Sequence, residues 1–192
     1  VCAFAAHFSD SGVVIMTADG VGAPHPRILG IDPGLNTSGY GIIEEVDRRP
    51  RVLEAGVIKS SEKRETADMA VRLKTIYDSL VEMIVQFSPG VMVVEQLYSH
   101  YAHPRTAILM AHARGVIFLA GAQRGIPVVS YSATRIKKTV TGNGHASKEQ
   151  MQYAILREFG LHTLPEPHDV SDALAVSLCH YHARHMLTEE EA

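Results

Sequence analysis

Cysteine is scarce: Cys2 and Cys179 are the only two in 192 residues. No disulfide framework can be built from such a pair, and a reducing cytoplasm fits it. No stretch of about 18 uninterrupted apolar residues occurs, so no membrane span is expected. Lys and Arg are missing before Arg27, while Asp10 and Asp19 are present. A secretory leader starts basic, so none is expected. Positive charge is not in excess either. The 18 Lys and Arg are outnumbered by 21 Asp and Glu, for a formal charge of −3. That excludes a globally basic nucleic-acid binder and leaves room only for local basic patches. Internal repeats are absent, and no linker interrupts residues 27–186. What remains is an ordinary globular composition, with 46% hydrophobic and 20% charged residues, at a length that suits one domain.

Residues 1–26 lack periodicity and end in Gly-Ala-Pro-His-Pro. They are expected to form a poorly ordered N-terminal extension. Residues 27–186 carry the folded pattern, and residues 187–192 form an acidic tail. Arg27–Ile31, Ser38–Glu44 and Val52–Lys59 are expected strands joined by turns, which suggests an antiparallel start. Residues 66–87 follow a helical period. Met69, Leu73, Ile76, Tyr77, Leu80 and Ile84 recur at three- and four-residue steps on one stripe. Val91–Val94 is a short continuous apolar run, as in a strand covered on both faces. A helix over Arg105–Arg124, a strand over Pro127–Ser130, a helix over Ser132–Val140 and a helix capped by Ser147 follow. Gln150 stands three residues after Ser147, in capping-box position. A last helix runs from Asp169 to about His185. The order predicts an α/β fold, a five-stranded mixed sheet flanked by helices.

Four carboxylates occupy positions where hydrolytic chemistry on phosphates would need them. Asp32 follows Ile28-Leu29-Gly30-Ile31 and precedes Pro33-Gly34; Glu95 follows Val91-Met92-Val93-Val94; Asp169 and Asp172 open the last helix. Taken singly, Asp32 could be a turn residue, and the Asp169/Asp172 pair could simply favour a helix N-terminus. Glu95 is harder to dismiss, because a charge directly after four apolar residues risks burial and needs a partner. Together, acids at two strand ends and one helix start can converge. Like charges at short range raise one another's pKa unless cations hold them. Hard oxygen ligands suit Mg²⁺ or Mn²⁺.

Ile31-Asp32-Pro33-Gly34, Val94-Glu95-Gln96 and Asp169-Val170-Ser171-Asp172-Ala173-Leu174-Ala175 resemble the RuvC family of Holliday-junction resolvases. So do Ala113-Arg114-Gly115 and the stretch Ile136 to Gly144. The resemblance runs from about Arg27 to His185. It implies a ribonuclease H-like fold and a homodimeric endonuclease. The implied activity resolves four-way DNA junctions by paired symmetric nicks in recombination and repair, and leaves 5′-phosphate and 3′-hydroxyl ends. It implies Asp32, Glu95, Asp169 and Asp172 as catalytic and metal-binding residues holding a pair of Mg²⁺ or Mn²⁺ ions. It also suggests docking to a branch-migration helicase complex. His168, directly before Asp169, is a candidate to support those ligands without joining them. Residues 1–26 have no counterpart in the family core, and the Ser99–Arg105 segment is about one residue longer than in relatives.

DNA contacts are expected from a basic stretch between Tyr131 and Gln150. Arg135, Lys137, Lys138 and Lys148 stand there against Glu149 alone. By resemblance Lys137 and Lys148 lie nearest the scissile phosphate, and Tyr98 meets bases at the junction centre, with Tyr101 a looser candidate. Arg105 is a further phosphate contact; Arg114 is either that or a structural ion pair. Val116-Ile117-Phe118-Leu119 is a candidate dimer surface, though core packing explains it nearly as well. Four rival readings stand beside this one. Cys179, His180, His182 and His185 have the wrong spacing for zinc. Gly34, Gly39 and Gly41 hint at an actin-like ATPase, for which the chain is short. The site also suits a ribonuclease H-type nuclease on RNA–DNA hybrids or, were an acid lost, a junction binder that does not cut.

Overall fold

The computed structural model describes residues 4–8, 14–18, 27–60, 68–97 and 104–190. The strands are β1 (Phe4–Phe8), β2 (Val14–Ala18), β3 (Arg27–Asp32), β4 (Thr37–Val46), β5 (Arg49–Lys59), β6 (Val91–Glu95) and β7 (Val128–Tyr131). The helices are α1 (Met69–Phe87), α2 (Pro104–Gln123), α3 (Ala133–Thr141), α4 (Lys148–Glu158) and α5 (His168–Glu190). All five expected strands are present as β3 to β7. The sheet order is β1-β2-β7-β6-β3-β4-β5. β3 pairs antiparallel with β4 and parallel with β6, and β6 pairs parallel with β7, so the sheet is mixed.

Two features lie beyond the sequence expectation. β1 and β2 come from the segment expected to lie outside the fold. β2 pairs antiparallel along β7, lengthening the sheet to seven strands. Its run Val14-Ile15 is β-branched and suits an unpaired sheet edge. In addition, α5 continues to Glu190, through most of the segment read as a tail. Leu187, Glu189 and Glu190 are good helix formers, so a propagating helix has no local reason to stop there.

Alternation along the central strands builds two cores. Ile28, Val93 and Val129 pack with Leu174, Val176 and Leu178 of α5 and with Ile136 of α3 and Ile155 of α4. Leu29, Ile31, Met92, Val94 and Val128 pack on the other face with Ile76, Leu80 and Ile84 of α1 and Ala113, Ile117 and Ala120 of α2. Successive side chains of a strand point to opposite faces. A run such as Met92-Val93-Val94 therefore feeds both cores, and the sheet is covered on both sides. The stripe expected on α1 is the one buried. Its start falls three residues later than expected because Asp68 caps it, accepting from Ala70 N. Residues 105–123 of α2 are long and apolar enough to cross a membrane, the one such helix among the described residues. Here Ala113, Ile117 and Ala120 are fully buried against the sheet.

α5 lies unusually close to β3 and β4. A Cβ on Gly30 would stand 2.1 Å from Ser177 Oγ and 2.5 Å from the Ala173 carbonyl oxygen. A Cβ on Gly39 would stand 2.0 Å from the Asp169 carbonyl oxygen. Ser177 Oγ donates to the Gly41 carbonyl at 2.9 Å and locks the contact. Gly39 and Gly41 therefore serve as a floor for the helix rather than as a phosphate cradle. Gly39→Ala is expected to destabilise the fold by about 1–3 kcal/mol, the usual range for overpacking. Chemical denaturation checks this, and an unchanged midpoint would refute the close approach.

Candidate active site

Asp32 is the last residue of β3 and Glu95 the last of β6. The parallel register pairs Ile31 with Val94, so the two acids leave the sheet side by side. Such carboxyl ends of strands are where ligand sites gather in α/β folds. Parity sets their direction. Asp32 shares the face of Ile28 and Gly30, and Glu95 that of Val93, the face covered by α3, α4 and α5.

The first turn of α5 comes to the same place. Its start is tied down by the preceding loop: Val170 N donates to the Pro167 carbonyl at 3.0 Å, and Ser171 Oγ to the Pro165 carbonyl at 3.1 Å. Gln152 of α4 also donates to Pro165, at 3.3 Å. Asp169 sits against Gly39, which pairs with Asp32 across the ladder. Asp172 lies one turn further in. A cavity of about 300 Å³ is lined by Asp32, Glu95 and Asp172 with Lys137 and Lys148. Ala133, Ile136, Met151 and Ala175 form its apolar wall.

The electrostatics follow from this crowding. Burial first, then the charges of Glu95, Asp172 and Asp169, push the Asp32 carboxyl up to about 8, with Lys148 opposing. Burial and Asp172 push Glu95 up to about 7, against Lys137, Lys148 and Arg114. Asp172 is raised as well, chiefly by burial and then by Asp169, while Lys148, His168 and Lys137 pull the other way. Among the described residues no three His, Cys, Asp or Glu side chains already form a compact metal-ligating group. What the four carboxylates share is a field and, for three of them, one cavity. The donor set fits a divalent cation: hard oxygens, partly buried, whose ionisation a cation would favour.

The remaining expected residues fall out differently. Lys137 and Lys148 line the cavity, whereas Lys138 is exposed outside that lining. His168 is exposed at the first position of α5, where its charge favours ionised Asp172. Arg105 is exposed in the first turn of α2. Tyr98 and Tyr101 lie outside the described residues. Ser147 makes the expected capping box with Gln150 and so fixes the start of α4, where Lys148 stands. Ser132 caps α3, which carries Lys137.

Arg114 does not line the cavity. Its guanidinium donates to the Glu95 carbonyl and, at 3.0 Å, to Ser130 Oγ, and stacks 4.6 Å from the Phe118 ring centroid. Nor do the histidines of α5 gather. His180 Nδ1 meets Tyr131 Oη at 2.9 Å, His182 faces Glu158 at 3.5 Å, and His185 faces Glu45 at 3.1 Å. Cys179 is buried beside Thr139. Of the candidate dimer stretch, Ile117 points into the core, while Leu119 is half exposed. The glycine floor was missed in the sequence. Its signal was a pair of glycine-bearing strands together with the small residues Ala173, Ala175 and Ser177.

Comparison with known proteins bears on this geometry. The family model described as crossover junction endodeoxyribonuclease RuvC matches residues 28–180. A protein of that name from Rhodopirellula baltica is 50% identical over 163 residues, covering 84% of this chain and 90% of that protein. Another, from Hydrogenovibrio crunogenus, is 43% identical over 154 residues, covering 80% and 86%. Among solved structures, Thermus thermophilus RuvC in complex with Holliday junction substrate superposes with a TM-score of 0.76 at 28% identity. That match covers 84% of this chain and 96% of the other. The yeast mitochondrial Holliday junction resolvase Ydc2 shares the fold, with a TM-score of 0.63 at 16% identity, over 89% and 84% of the two chains. With strands, helices and carboxylates arranged as described, the chain belongs to the RuvC family of crossover junction endodeoxyribonucleases, nucleases of ribonuclease H-like fold.

Proposed function

We propose that this protein resolves four-way DNA junctions by paired symmetric nicks, in homologous recombination and repair in the cytoplasm, with Asp32, Glu95, Asp169 and Asp172 holding a pair of Mg²⁺ or Mn²⁺ ions. The observation that carries this reading is the convergence of Asp32, Glu95 and Asp172 on one cavity that Lys137 and Lys148 also line. When bound, the cations supply activation of the attacking water and neutralisation of the leaving oxygen. The carboxylates fix where that chemistry happens. Water oxygen bonds to phosphorus, the bond to the 3′ oxygen breaks, and a 5′-phosphate and a 3′-hydroxyl result. No side chain needs to form a covalent bond: Ser130, Ser132 and Ser171 are engaged with Arg114, the α3 cap and Pro165.

Lys137 and Lys148 balance the charge of the phosphate beside the acids, and His168 supports the α5 pair from outside the cavity. Lys138 and Arg105 extend the grip along the DNA backbone, and Tyr98 stacks on a base near the junction centre. Phosphate pairing of this kind weakens steeply with salt. A junction offers two equivalent strands, which a two-fold homodimer would meet with one site each. Ile108 and Leu119, exposed three turns apart on α2, suit such an interface. A branch-migration helicase is the expected larger partner.

The test is cleavage of a synthetic mobile four-way junction in Mg²⁺ or Mn²⁺, beside linear duplex and RNA–DNA hybrid. Symmetric nicks in the junction alone are expected. Cutting of the hybrid instead would keep the metal site and overturn the substrate. Binding without cutting in both metals would leave a junction binder.

A further inference from the structure

We infer that Arg114 is a positioning residue: from the far side of the sheet it holds the backbone at Glu95, so that the Glu95 carboxylate faces the metal-binding cavity. The inference rests on the proposed reading of Glu95 as a metal ligand. Pairing between β3 and β6 stops at Ile31 and Val94, one residue short of Glu95. On the other side Gln96 N still donates to the Tyr131 carbonyl at 2.9 Å. The Glu95 carbonyl takes its donor from the Arg114 guanidinium instead.

The second contact makes this a staple. Ser130, on β7 opposite Val94, accepts from the same guanidinium at 3.0 Å. One planar side chain therefore bridges the ends of β6 and β7. Ser130 shares the face of Val128, and α2 covers that face through Ala113 and Ile117. Glu95 and its carboxylate belong to the opposite face, with Val93. Arg114 thus cannot reach a phosphate lying against the carboxylates. A further contact, the Phe118 ring, is on its own helix and fixes the guanidinium plane. A rigid fork with several donors suits this task better than a flexible ammonium. Arg105, the proposed DNA contact, begins the same helix, so Arg114 joins a DNA-facing element to a ligand-bearing strand.

Full-length Arg114→Met, Arg114→Lys and Ser130→Ala test the inference. Mn²⁺ affinity is read by electron paramagnetic resonance without DNA, nicking by single-turnover rates, junction binding in chelator, and folding by thermal melting. Arg114→Met is expected to lower both Mn²⁺ affinity and nicking rate by about 10–100-fold, the usual range for residues behind metal ligands, with junction binding kept. Arg114→Lys, which retains one donor toward the Glu95 carbonyl, is expected to recover part of both. Ser130→Ala is expected to lose less than Arg114→Met, because the Glu95 contact survives. Unchanged Mn²⁺ affinity in Arg114→Met with a lowered melting point would reduce Arg114 to a packing residue and overturn the inference. Parallel loss of junction binding and nicking would make it a phosphate contact and overturn it too. Should Arg114→Met fail to fold, Arg114→Lys decides: Mn²⁺ affinity equal to wild type refutes the staple. A wild type that binds Mn²⁺ but nicks no junction would sink the resolvase reading, while the Mn²⁺ titrations would still judge Arg114.

Discussion

Asp32→Asn is expected to cut junction nicking sharply and to leave junction binding in place. Asp32 feels all three of the other carboxylates and is pushed further from its ordinary value than Glu95 is. It lies where β3, β4 and the start of α5 meet, opposite Gly39 and Asp169. Asn keeps the shape and removes the charge. A neutral amide is a poor ligand for a hard dication, so the water and leaving oxygen lose their stabilisation. The nicking rate should fall by on the order of 10²–10³-fold or more, the scale for losing one stabilising group at a reacting centre. Binding should hold or tighten, because one negative charge facing the phosphates is gone. Single-turnover kinetics beside a gel-shift titration read both quantities. Retained nicking would remove Asp32 from the chemistry. Lost binding would move it to the DNA grip.

Metal-free protein is expected to lose stability as pH rises from about 6.5 to 8, and divalent cation to restore it. Asp32 moves from 3.8 unfolded to about 8 folded, and Glu95 from 4.5 to about 7. Between those values the folded chain binds more protons than the unfolded chain, so stability falls with rising pH. Below 6.5 a second group opposes this. Burial pushes His180 down to about 4 from 6.5, so the unfolded chain binds its proton more readily there, and that contribution rises with pH. The clean window is therefore above 6.5. Across it Asp32 alone contributes on the order of 1–2 kcal/mol of lost stability. For a chain of this size that is roughly 2–8 °C in melting temperature. Saturating Mg²⁺ or Mn²⁺ binds the ionised carboxylates of the folded state and adds about 2.7 kcal/mol at a hundredfold excess over Kd. The gain should be larger at pH 8 than at 6.5, and Asp32→Asn should flatten the metal-free slope. Melting curves in chelator and in metal at the two pH values decide it. A metal-free protein whose melting temperature climbs from 6.5 to 8 would refute the buried carboxylates.

Much of this protein was legible in its residues because the relevant physics is local. The stripe on α1 depends on the helical period, the start of α4 on Ser147 and Gln150, and the central strands on short apolar runs. The four acids stood out because each follows or opens an apolar element, where a charge needs a reason. Their convergence was already implied by those positions and by family resemblance. What only the tertiary structure decided depends on register between distant segments. Pairing of Asp32 with Gly39, and of Gly30 with Gly41, turned possible phosphate glycines into a floor for α5. The side of the sheet on which Arg114 lies, opposite to the Glu95 carboxylate, made it a backbone staple instead of a phosphate contact. β2 found its partner in the edge of β7, which no pattern within residues 1–26 reveals. Periodicity and capping are written into neighbours a few residues apart. Which backbone passes within reach of which carbonyl is settled only when strands from opposite ends of the chain lie side by side.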